Sequence, residues 1–69
     1  MSASKWVHVE ADILEVTDKA ILIEVVDIGS CWIPKSQLDE PDRYEVGDVD
    51  IIVSMTRWIA NEKGLESDE

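Results

Sequence analysis

Apolar and polar residues alternate with a period of two along most of the chain, which predicts strands before any other element. From Trp6 to Val16, the residues Val7, Val9, Ala11 and Ile13 share one parity, while His8, Glu10 and Asp12 take the other. That is the pattern of a strand with one buried face. Leu14 and Val16 then take over the apolar role from Ile13, so a bend or bulge is expected near Asp12 to Leu14 in a long first strand. Thr17-Asp18-Lys19 is a short polar break, and Ala20 to Val26 is rich in β-branched residues, which predicts a hairpin. Ile21, Ile23 and Val25 share one face of this second strand. Ala20, Leu22 and Val26 share the other with Glu24, so the strand is expected to be central and buried on much of both sides.

Asp27-Ile28-Gly29-Ser30 carries a turn signal, Cys31-Trp32-Ile33 returns as a short strand, and Pro34 ends it. Pro34 to Leu38 has the length of one helical or 3₁₀ turn, with Leu38 pointing inward. Val49, Ile51 and Val53 alternate with Asp50, Ile52 and Ser54 and predict the last strand. Ser54 or Thr56 is placed to cap a helix in which Met55, Trp58 and Ile59 form a narrow apolar stripe, and Lys63-Gly64 stops it. Strands followed by a helix predict the α+β class: a small, strongly bent antiparallel sheet or half-open barrel of SH3 or OB type, with four to five strands and one C-terminal helix. The expected organisation is a flexible N-terminus over 1–4, one small domain over 5–64, and a frayed acidic tail over 65–69.

A chain of 69 residues is near the lower limit for independent folding and leaves no room for a second domain or a large, deeply buried active site. Its charge is the unusual quantity: 16 acidic residues against 6 basic ones give a net charge of −10. Direct binding to nucleic acid by phosphate neutralisation is therefore not expected, because that mode needs Lys and Arg to displace counterions. An anionic membrane surface would be repelled for the same reason. No apolar run approaches the roughly 18 to 20 residues of a membrane span, and the opening MSASKWVHVE lacks the charged and apolar regions of an export signal. One cysteine, Cys31, makes no internal disulfide, and the cytoplasm is the expected compartment.

Catalytic readings are thin. A nucleophile and its base would have to be assembled around His8 or Cys31, and these read more simply as a partly exposed strand histidine and a small buried thiol. The chain has no CxxC, HExxH, P-loop or GxGxxG, so neither a cofactor nor an enzyme activity is expected. Asp48-x-Asp50 offers two carboxylates one residue apart, without the third ligand, central glycine and terminal Glu of a calcium loop.

The acidic residues carry the functional signal. Neighbours at i and i+2 on a strand lie about 6.5 to 7 Å apart on one face, so Glu10 with Asp12, and Asp48 with Asp50, are expected to form spaced rows. Asp39, Glu40, Asp42 and Glu45 extend them along a loop in which Arg43 is the one opposing charge. A rigid strip of this kind offers a nucleic-acid-binding protein the potential of a phosphate backbone, with attraction that decays over a Debye length of about 8 Å at physiological salt. Tyr44 and Trp6 are expected to be exposed as interface anchors, and Trp32 and Trp58 to pack in the core or over the barrel end.

The segments Lys19 to Val25, Trp32-Ile33-Pro34-Lys35-Ser36-Gln37-Leu38, Val46-Gly47-Asp48 and Trp58 to Leu65 resemble a pattern of small acidic phage and mobile-element proteins over residues 11 to 65. In size and charge the chain is also similar to small acidic anti-CRISPR inhibitors. The resemblance implies a non-catalytic protein that binds a bacterial defence complex such as a CRISPR effector and blocks its nucleic-acid channel; apart from the resemblance, the high net charge favours a monomer, with the oligomeric state left open. It supplies no site motif, so the candidate partner-binding residues remain Glu10, Asp12, Asp39, Glu40, Asp42, Glu45, Asp48, Asp50, Tyr44 and Trp6. The alternative is an OB-like phage accessory protein that holds single-stranded nucleic acid on exposed aromatics.

Overall fold

The computed structural model describes residues 5–65. Four antiparallel strands, β1 (Trp6–Val16), β2 (Ala20–Val25), β3 (Gly29–Pro34) and β4 (Ile51–Thr56), form one open sheet in the order β3-β2-β1-β4, followed by the helix α1 (Arg57–Glu62). This is the expected small α+β fold, and the sheet does not close into a barrel. The long first strand is shared. Its first half pairs with β4 from Trp6↔Thr56 to Ala11↔Ile51, and its second half pairs with β2 from Asp12↔Glu24 to Val16↔Ile21. The register shifts between Ile13 and Glu15, so Leu14 is the extra residue of a bulge where the parity slip indicated one.

One core lies under the sheet. The odd positions Val9, Ala11 and Ile13 of β1 and Ile21, Ile23 and Val25 of β2 meet Ile33, Val53 and Met55, and Leu38, Tyr44, Ile59, Ala60 and Leu65 close over them. Each fully buried Ile contributes about 1.5 to 3 kcal/mol, and Ile21, Ile23 and Ile33 are all at 0% exposure. The outer face of β2 is less covered than its composition suggested: Ala20 and Leu22 are half-buried, Glu24 is exposed, and Val26 lies beyond the strand. β2 is interior but shares the centre of the sheet with β1, which alone joins the two ladders.

Several local signals act where they stand. Thr17 Oγ1 accepts from the Ala20 N–H at 3.1 Å and tightens the first hairpin. In the second, the Ile28 N–H donates to Val25 O, Asp27 takes φ 71°, and Gly29 at φ 106° starts β3. Thr56 caps α1 by accepting from the Ile59 N–H at 3.3 Å. At the other end of the helix, the Leu65 N–H donates to Ala60 O and the Gly64 N–H to Asn61 O, with Gly64 at φ 71°: the Schellman arrangement. Its usual apolar contact explains why Leu65, expected to begin a frayed tail, is instead buried. The expected flexible 1–4 and the tail at 66–69 lie outside the described residues.

Two expectations for the last strand and helix are corrected. Val49 is exposed and precedes β4, because Asp50 takes a left-handed φ of 54° and interrupts the extended run. Met55 belongs to β4 and packs in the core, which shortens the helix to six residues and leaves Trp58 60% exposed.

The two edges of the sheet are treated differently. Leu38 bridges to Met55, and residues 38 to 44 run along the outer edge of β4. There the Asp39 N–H donates to Ser54 O at 3.0 Å, the Ser54 N–H donates to the Tyr44 hydroxyl at 3.0 Å, and Arg43 Nη2 donates to Ile52 O at 2.9 Å. Along β3, no described residue pairs on the side away from β2.

Candidate functional site

The even positions of β1 face away from the core and carry Glu10 and Asp12. Pairing of β1 with β2 sets Glu24 directly across from Asp12, and cross-strand partners share a face. From the other side of β1, the Asp50 N–H donates to Asp12 Oδ1 at 2.8 Å, which pins the residue before β4 against the same carboxylate. Glu10, Asp12, Glu24 and Asp50 line one open groove of about 480 Å³, together with Ala11, Val25 and Val26.

The groove lies where β1 changes partner from β2 to β4, so the bulged, shared strand is what gathers carboxylates from separate elements. The ion pair between described side chains is Arg43 with Glu40, at 3.8 Å, and none of the four groove carboxylates is paired with a described Lys or Arg. Like charges directly opposite in a ladder destabilise it, by about 0.2 to 1 kcal/mol, so Glu24 against Asp12 works against the sheet that holds it. Among the described residues, no group of three or more His, Cys, Asp or Glu side chains is placed to hold a metal ion.

The remaining acidic candidates do not extend this groove. Asp48 Oδ2 accepts from the Glu45 N–H at 3.1 Å, the Asp48 N–H donates back to Glu45 O, and Asp48 O accepts from the Ile13 N–H, which makes Asp48 a turn anchor. Asp48 and Asp50 lie outside any strand, so the spaced-row geometry holds for Glu10 and Asp12 alone of the two expected rows. Asp39, Glu40 and Asp42 are exposed in the segment that covers the β4 edge, with Arg43 among them. The carboxylates thus fall into a groove group and an edge group, and a single strip from 39 to 50 is not formed.

The aromatic expectations are largely reversed. Tyr44 is 3% exposed because its ring fills the core and its hydroxyl takes the Ser54 N–H, so it offers nothing to a partner. Trp6 is half-buried with the Lys5 ammonium 5.0 Å from its ring centroid. Trp32, at an even position of β3 paired with Leu22, stands on the outer face at 44% exposure. Glu24 is the groove residue that sequence reasoning missed. It was visible as the one charge in an apolar strand, but its partner across the ladder depends on a register set by the Leu14 bulge.

The two candidate catalytic side chains lie on different strands, His8 on β1 and Cys31 on β3. His8 Nδ1 lies 2.8 Å from Ser54 Oγ, its partner across the β1–β4 ladder. Burial pushes the Cys31 thiol up, partly opposed by the nearby Lys63 charge, which keeps it in the protonated, weakly nucleophilic form near neutral pH. No helix of the described residues is long and apolar enough to cross a membrane. Compared with family models, curated proteins and solved structures, the chain matches none.

Proposed function

We propose that this chain is a non-catalytic acidic binding protein, a phage-type inhibitor of the anti-CRISPR kind acting in the bacterial cytoplasm. Its groove face occupies a basic nucleic-acid-binding site on a host defence complex in place of the polynucleotide. The observation that carries this reading is the convergence of Glu10, Asp12, Glu24 and Asp50, from three parts of the chain, around one open groove without a described cation among them. Their mutual repulsion costs the fold stability, and a basic partner relieves it on docking. Charge complementarity of this kind acts through the encounter rate and weakens as salt screens it.

The test is affinity capture of the tagged chain from bacterial lysate, with mass spectrometry of what is retained and elution by competing oligonucleotide. The reading requires a retained nucleic-acid-binding complex that oligonucleotide displaces. Direct, saturable quenching of tryptophan fluorescence by an oligonucleotide at low salt would instead favour the accessory-protein alternative, with the exposed Trp32 as its stacking surface.

A further inference from the structure

The outer edge of β3, unpaired among the described residues, has a defined hydrogen-bonding pattern. The Lys35 N–H donates to Lys19 O, one step beyond the Ala20↔Pro34 pair, so the odd positions of the strand bond toward β2. Alternation in an antiparallel ladder then directs the N–H and C=O groups of Ser30 and Trp32 away from β2. None of these groups bonds to a described residue. β3 reads Gly-Ser-Cys-Trp-Ile-Pro and carries no charge; Pro34 at its end is its one edge-blocking residue, and among the described residues no segment covers Ser30 to Ile33 on the outer side. The covered β4 edge of the same sheet shows what such protection looks like in this chain.

We propose that this edge is a self-association site, at which β3 of one copy pairs antiparallel with β3 of a second copy about a two-fold axis through Cys31. Three features select the second copy and the register. A two-fold axis normal to the sheet keeps the outer faces of both copies on one side, and so pairs residues of like parity. With Ser30 opposite Trp32 of the second copy, every outward N–H and C=O of both residues is bonded. Sliding the register two residues either way puts Pro34, which has no N–H, or Ile28, whose N–H is held by Val25 O, in the pairing position and leaves carbonyls unmatched. In the same register the turn residue Asp27, just before β3, and Lys35, which opens the 3₁₀ turn just after it, flank the strand at equal distances from the axis, so each end of the joint strand pair has an acidic residue of one copy on the side of a basic residue of the other.

The association stands apart from the acidic-groove reading and adds to it. Glu24 and Ser30 are cross-strand partners on the outer face, so the joined sheet presents two acidic grooves on one side. The proposal departs from the monomer favoured by net charge, and β3 itself carries no charge to oppose the pairing.

Sedimentation velocity of the full chain over a concentration series tests this. A reversible monomer–dimer equilibrium is expected. Ser30→Pro removes an outward N–H that the β2 ladder does not use, and it should leave the far-UV circular dichroism unchanged while lowering the association constant about tenfold or more. Lys35→Glu should weaken association by about tenfold, and Asp27→Lys combined with Lys35→Glu should restore it. A chain that stays monomeric to millimolar concentration overturns the proposal. So does a dimer indifferent to both Ser30→Pro and the charge reversal, which would place the contact on another surface such as the exposed Trp58.

Discussion

The β4 edge and the β3 edge belong to the same sheet and meet opposite fates. At β4, outward backbone groups are taken up by Asp39, Tyr44 and Arg43, and the covering loop sinks an aromatic ring into the core. At β3, no described residue takes up the outward backbone groups, and Trp32 stands half in solvent. The lesson is that an aromatic residue in this small fold is buried where it also satisfies a backbone donor. Tyr44 does so for the Ser54 N–H, whereas Trp32 has only its ring to offer.

This contrast sets the expected size of substitutions. Tyr44→Ala removes the ring and the hydroxyl together and should cost on the order of 3 to 5 kcal/mol, most of the margin of a small domain, so that thermal unfolding by circular dichroism shows little folded protein at 37 °C. Tyr44→Phe keeps the ring but strands the buried Ser54 N–H, for an expected loss of about 1 to 3 kcal/mol in urea unfolding. A Tyr44→Phe variant as stable as the parent would mean that the covered edge is held by packing alone. Trp32→Ala, at the bare edge, should cost less than about 1 kcal/mol in the same assay, measured at a concentration where the chain is monomeric.

The groove responds in the opposite sense. Glu24→Gln removes a like charge facing Asp12 and should stabilise the fold by about 0.2 to 1 kcal/mol, a gain that shrinks with added salt. Asp12→Asn keeps an acceptor for the Asp50 N–H, and Asp12→Ala does not, so Ala should be the less stable of the two by about 1 kcal/mol. The smallest effect concerns Cys31. Burial raises the thiol in the folded chain, so its contribution to stability is complete below the ordinary thiol range and is lost as pH rises through the folded value. Iodoacetamide should accordingly modify Cys31 more slowly in the native chain than in urea at the same pH.

Much of the sheet was legible because it depends on short-range pattern. The parity of Val7 to Ile13, its slip at Leu14, the stop at Pro34 and the cap at Thr56 are local, and each sits in the fold where it was expected. What stayed hidden depends on pairing between distant residues. Tyr44 in an acidic loop reads as exposed until Ser54, ten residues on, presents its N–H to it. Trp32 reads as core by its size, although its place between Cys31 and Ile33 already assigned it to the outer face. The groove was half legible: Glu10 and Asp12 follow from strand parity, Asp50 joins through a bond across 38 positions, and Glu24 follows only from register.

The account rests on the groove group, and not the edge group, being the surface that a basic partner reads. Two charge variants separate them at equal net charge: Glu10→Lys with Glu24→Lys, and Asp39→Lys with Asp42→Lys, each shifting the total from −10 by +4 to −6. Calorimetric titration of each into the complex captured from lysate is the direct measurement. The account predicts that the groove variant loses binding by about a hundredfold or more while the edge variant stays within about tenfold of the parent. Equal losses in both variants, or a larger loss at Asp39 and Asp42, would contradict it.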